Sequence, residues 1–135
     1  MGLLGPPLAL MGLVWFLSAQ PDLNSGLKED FLLRKCAHVT EYALLTGLWA
    51  RAVAGLAPHL RRARSTPLCP AVATGAAATV ALLWAASDEW HQTFVRGRVG
   101  AVHDVGIDAI GITIATVLLL GTRVGVLAGV RARRP

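Results

Sequence analysis

"PAVATGAAATVALLWAASDEWHQTFVRGR", residues 70–98, opens with eighteen uncharged residues and closes with two acids, a histidine, a glutamine and two arginines. The uncharged part is as long as the roughly 17–25 residues that a transmembrane helix needs, and the ionisable part collects at its end. Stretches elsewhere have the same apolar character, so the predicted spans lie at about 3–19, 35–57, 68–86 and 102–122. In bilayer hydrocarbon so short a chain can satisfy its backbone N–H and C=O groups only as helices. The predicted fold is therefore all-α, a four-helix transmembrane bundle, with 1–135 forming a single domain.

Composition agrees. Of 135 residues, 54% are hydrophobic and only 16% charged, outside the usage of soluble domains and in keeping with a multi-pass cell-membrane protein. The net charge of +5 comes in short basic runs between apolar segments, which orient a chain in a bilayer and do not suggest nucleic acid. Two of these runs are "HLRRARSTP", 59–67, and "RARRP", 131–135. With four spans they share a side, and the positive-inside rule places the N and C termini in the cytoplasm. The start, "MGLLGPPLALMGLVWFLSAQ", has no positive n-region and reads as a retained first span. In "QPDLNSGLKEDFLLR", 20–34, the second half reads as an amphipathic turn or two at the interface. Cys36 and Cys69 have neither zinc spacing nor disulfide density and read as buried apolar thiols. Trp15, Trp49 and Trp90 lie near predicted span ends as interface anchors, and Trp84 reads as packing.

Three polar groups punctuate the spans. In "RKCAHVTEYALLTG", Lys35, His38 and Tyr42 recur at spacings of three and four and share a helical face, with Glu41 beside them. In "HDVGIDAIG", Asp104, Asp108 and Gly111 do the same, stacking two carboxylates above a residue small enough for another helix to approach. The third span delivers Asp88, Glu89, His91 and Gln92 at its end, before a turn at Gly97. Because successive spans alternate in direction, all three groups converge on the outer side. An acid at the bilayer centre costs about 2.5–3.5 kcal/mol on insertion scales, so these acids need partners. Lys35, Arg96 and Arg98 are the basic candidates, either as ion pairs that hold the helix ends or as a site for a charged headgroup or phosphate. No histidine and carboxylate spacing marks a metal site, and no cofactor is expected.

The motifs "RKCAHVTEYALL", "SDEWHQTFVRGR" and "VHDVGIDAIGI" together resemble those of the VanZ-like family, small bacterial membrane proteins named for a teicoplanin-resistance protein. The resemblance covers about 34–111. It implies family positions at Arg34, Lys35, His38, Glu41 and Tyr42, at Asp88, Glu89, His91, Gln92, Gly97 and Arg98, and at Asp104, Asp108 and Gly111. The chain departs from the pattern at Arg96, where a proline is more familiar, and at His103.

The function expected first is an outward-facing polar site, without catalysis, that binds a lipid-linked cell-envelope precursor or a glycopeptide. That site would comprise Lys35, His38, Glu41, Tyr42, Asp88, Glu89, His91, Gln92, Arg98, Asp104 and Asp108. One alternative is a membrane enzyme acting on a lipid-linked or phosphorylated substrate, with His38, Glu89 or Asp88 as the catalytic candidates. Another is a small transporter, which would need ionisable groups continuing inward past Tyr42 and Asp108. Expected partners are the lipid bilayer and a charged amphiphile, and homo-oligomers stay open.

Overall fold

The computed structural model describes residues 2–21, 30–60, 69–98 and 100–132. These form four helices, α1 (Gly5–Ser18), α2 (Asp30–Leu60), α3 (Pro70–Gln92) and α4 (Val102–Ala132), with no strand among the described residues. Proline opens α1 and α3 within the first turn, where its missing N–H has no intrahelical acceptor to lose. Two stretches, α3 and Val102–Thr122 of α4, are long and apolar enough to cross a membrane. With 14 residues α1 is shorter, about 21 Å against a hydrocarbon core of about 30 Å. Of the expected interfacial turn, 22–29 lie outside the described residues, whereas 30–34 form the start of α2 with Leu32 and Leu33 exposed; the side chains of 59–67 and 131–135, which carry the expected orientation, also lie outside the described residues.

Three helices outrun their predicted spans, α4 by running on from 122 to Ala132. Helix α2 starts at Asp30, ahead of 35, and α3 continues to Gln92, past 86. A hydropathy reading stops at the first charges, but α3 does not, because its charges stay on the buried face. Ala73, Ala77, Ala81 and Ala85 form a buried ridge at intervals of four, and Asp88, Glu89 and Gln92 prolong that ridge, all of them buried. Small side chains let neighbouring backbones come close, and the polar end of the ridge inherits that enclosure.

The apolar distribution is inverted relative to a water-soluble bundle. Val72, Leu82, Leu83 and Trp90 on α3 and Ile110, Ile114, Val117 and Leu118 on α4 are exposed, whereas alanines, threonines and acids fill much of the interior. A soluble domain of this size would bury those large side chains first. Tyr42, Leu45, Ala81, Ala85 and Ile112 make the apolar core.

Helices α2, α3 and α4 pack against one another, and α1 lies against α2 and α3. The closest approach is at Gly111 of α4. A Cβ there would run into the Val39 carbonyl, 2.9 Å from its carbon, and lie 3.1 Å from the Ala43 nitrogen. After α3 the chain reverses at Gly97, whose φ of 76° suits glycine. At Gly100 a Cβ would lie 2.6 Å from Thr93 Cγ2, so glycine there lets the start of α4 close onto the end of α3.

Candidate functional site

Two rungs of a polar ladder join α2 to α4. Lys35 Nζ pairs with Asp104 Oδ1. One turn further in, His38 Nδ1 meets Asp108 Oδ1 at 2.9 Å. The Gly111 approach to Val39 and Ala43 comes next, at the following turn. Residue numbers rise together along both helices, so α2 and α4 run parallel here. Shared-face spacing on each helix is what lets the rungs repeat. At the mouth of the ladder, His103 Nε2 also reaches Asp104 Oδ1 at 3.0 Å.

The end of α3 closes the third side. Asp88, 1% exposed, accepts hydrogen bonds from Ser18 Oγ at 2.6 Å and Gln92 Nε2 at 3.0 Å. Glu89 Oε2 accepts the backbone N–H of Ala101 at 2.7 Å, fastening the end of α3 to the residue before α4. Tyr42 is fully buried, and it lies within electrostatic reach of Asp108, Asp88, Glu41 and Glu89. Glu41 in turn lies within reach of His38, Asp108 and Asp88. Lys35, His38, Glu41, Tyr42, Asp88, Glu89, Gln92, Asp104 and Asp108 thus gather at one end of the bundle.

Two predicted residues face elsewhere. His91 turns to α1 and stacks on Trp15, ring centroids 4.0 Å apart and planes 18° apart. Arg98 donates from Nε to the Gln20 carbonyl at 3.3 Å and from Nη2 to the Leu17 carbonyl at 3.2 Å. The Leu17 carbonyl, in the last turn of α1, also accepts the Gln20 N–H at 3.2 Å, so Arg98 adds a second bond there and sets its cation at the negative end of the helix dipole. Arg98→Ala is expected to loosen α1 selectively, since hydrogen bonds to charged groups are worth about 1.5–3 kcal/mol. Hydrogen exchange should show faster exchange over Gly5–Ser18 with little change in α4. Unchanged protection of α1 would remove this role.

The sequence reading missed the contribution of α1. Ser18 sits at the end of an apolar run, and nothing in its spacing points to a carboxylate seventy residues away. Trp15, read as an interface anchor, instead stacks on His91 and lies 5.4 Å from Trp84. Both cysteines are exposed rather than buried. Cys36 precedes His38 by two positions, about 200° around the helix, so the face that buries His38 turns the thiol outward.

Among the described residues the buried Tyr42 hydroxyl has no hydrogen-bond partner, and nor do Trp49 Nε1 and Thr116 Oγ1 deeper in the bundle. A buried polar group without a partner costs about 1–3 kcal/mol. Tyr42→Phe is therefore expected to keep the protein at least as heat-stable as the wild type in detergent. A drop of several degrees would mean that the hydroxyl is held. Among the described residues no group of three or more His, Cys, Asp or Glu side chains is arranged to hold a metal ion.

A family model described as VanZ/LLP1 matches residues 6–124. No curated relative and no solved structure matches the chain. The matched region reaches beyond the three motifs to take in α1, the helix that supplies Ser18 and Trp15.

Proposed function

The chain belongs to the VanZ/LLP1 family, and from that premise we propose a multi-pass cell-membrane protein whose polar end binds a charged amphiphile of the cell envelope without turning it over. A lipid-linked precursor and a glycopeptide are the two ligand types in view. In this reading the four helices form the bundle in the bilayer, both termini are cytoplasmic, and the cluster faces outward. The basic runs at 59–67 and 131–135 support that orientation.

The observation that carries the reading is the inversion itself, with large apolar side chains outside and acids inside. Polar groups within membrane segments are costly and pair with one another or serve a ligand. Pairing accounts for Lys35 with Asp104 and His38 with Asp108, while Glu41, Asp88 and Glu89 add acids beyond those pairs. An acid excess suits the ammonium, amide and hydroxyl donors of a headgroup better than a bare phosphate.

The test uses protein in nanodiscs with two probes, a fluorescent glycopeptide and a labelled lipid-linked peptidoglycan precursor. Asp104, partly exposed at the mouth, is the position to change. Asp104→Asn should weaken binding of one probe at least tenfold, about 1.4 kcal/mol, with membrane abundance unchanged. Absence of binding by wild type, or loss of abundance in step with binding, would reduce the cluster to scaffolding.

One observation favours the enzyme reading as second. Ser18 Oγ has a single proton to donate and lies 2.6 Å from Asp88, a hydroxyl beside a carboxylate. Ser18 is only 6% exposed, which keeps a headgroup away and ranks this reading lower. Turnover of a polyprenyl-phosphate, phospholipid or precursor substrate by wild type but not by Ser18→Ala would reverse the order.

A further inference from the structure

Beside the cluster, between α3 and α4, runs an open apolar groove of about 500 Å³. Leu82, Trp90, Val102, Val105 and Gly106 help to line it, and Glu89 is the acidic residue in that lining. From Leu82 to Thr93 the α3 wall is about 16 Å long at 1.5 Å per residue. We propose that this groove holds one hydrocarbon chain of a lipid whose headgroup carries an ammonium, with Glu89 as the counter-charge.

Three features lead there. The lining is apolar apart from Glu89 and Thr93 and contains no cation. It opens on the face that also exposes Leu82, Trp90, Val102 and Ile110, the surface that meets lipid tails if the bundle spans a bilayer. A helix, 10–12 Å across, would need over about 1,200 Å³ along that length, so a second copy of the chain would not be enclosed.

The charge in the lining selects the headgroup. Glu89 lies within electrostatic reach of Asp104, Asp108 and Asp88. Its Oε2 is occupied by the Ala101 N–H, which fixes the carboxylate within the lining. A negatively charged headgroup would meet these acids at close quarters, and an ammonium would relieve them. Because Glu89 belongs to both the groove and the cluster, the inference rests on the ligand-binding reading above and narrows its ligand to a lipid.

Nanodiscs made with photoreactive phosphatidylethanolamine or photoreactive phosphatidylglycerol, each with a diazirine midway along one acyl chain, test it. Crosslinks mapped by mass spectrometry should concentrate between residues 82 and 109, with the ethanolamine lipid labelling at least fivefold more. Glu89→Gln should abolish that preference. Gly106→Leu should cut groove labelling at least fivefold, and the fold should tolerate it, because a Cβ at Gly106 meets nothing within 4 Å. Ala86→Phe, at an exposed position on the opposite wall, serves if Gly106→Leu lowers abundance.

Labelling no denser than on the exposed face of α1 around Leu8 and Leu13 would overturn the proposal. So would equal labelling by the two lipids, labelling indifferent to both groove-filling variants, or protein-to-protein crosslinks at the groove. The two readings fail separately. Groove labelling that persists while Asp104→Asn leaves probe binding intact sinks the ligand-binding cluster alone. Probe binding sensitive to Asp104→Asn without groove labelling sinks the groove alone.

Discussion

Gly111→Ala is expected to be among the most damaging single-methyl changes in this protein. The added Cβ would be driven into the Val39 carbonyl, and backbone, unlike a side chain, cannot swing aside. Overpacking usually costs about 1–3 kcal/mol, and contact with backbone belongs at the top of that range. To make room, α2 and α4 must separate, which lengthens the Lys35–Asp104 and His38–Asp108 rungs directly above. Gly106→Ala is the internal control, on the same helix but with nothing within 4 Å of the new methyl. It should be neutral or gain up to about 0.8–1.0 kcal/mol from helix propensity. Membrane abundance and apparent melting temperature of the two variants decide the matter. Equal behaviour would mean that α2 and α4 do not meet at Gly111.

His38→Ala is expected to cost more than Asp108→Ala. Asp108 is 1% exposed, so removing its histidine strands a carboxylate that water cannot reach. Breaking a buried pair from one side costs about 3–5 kcal/mol. The reverse change leaves His38, whose side chain is 27% exposed and can sit neutral, at a smaller cost. A double replacement, His38→Leu with Asp108→Leu, removes both polar groups and should recover much of the lost abundance, since an apolar pair can stand in for a buried ionic one. Equal damage from the two single alanines, with no recovery in the double variant, would show that the pair does not act as a unit.

Periodicity made much of this legible. Spacings of three and four put Lys35, His38 and Tyr42 on one face and Asp104, Asp108 and Gly111 on another, because a helix repeats every 3.6 residues whatever surrounds it. Hydropathy located the four helices, with errors at the ends of α2, α3 and α4; at the end of α3, charged residues on a buried face look like a helix terminus. The spacing of Ala73, Ala77, Ala81 and Ala85 was open to the same reasoning and would have carried α3 through to Gln92. Ser18 had no such signal. Its hydrogen bond to Asp88 depends on how α1 lies against α3, and a lone serine at a helix end has many possible partners.

By itself, then, the sequence determined the all-helical class, the polar faces and their meeting at one end, since each follows from local geometry and from alternating chain direction. The tertiary structure alone decided the pairings: Lys35 with Asp104, His38 with Asp108, Arg98 with the last carbonyls of α1, and His91 with Trp15. The physical reason is register. A face is set by rotation about one helix axis, but a partner is set by how far one helix slides along another. In this bundle that sliding is fixed at Gly111, where two backbones touch; the sequence marked Gly111 as a place where a helix can approach, but not Val39 and Ala43 as the backbone it meets.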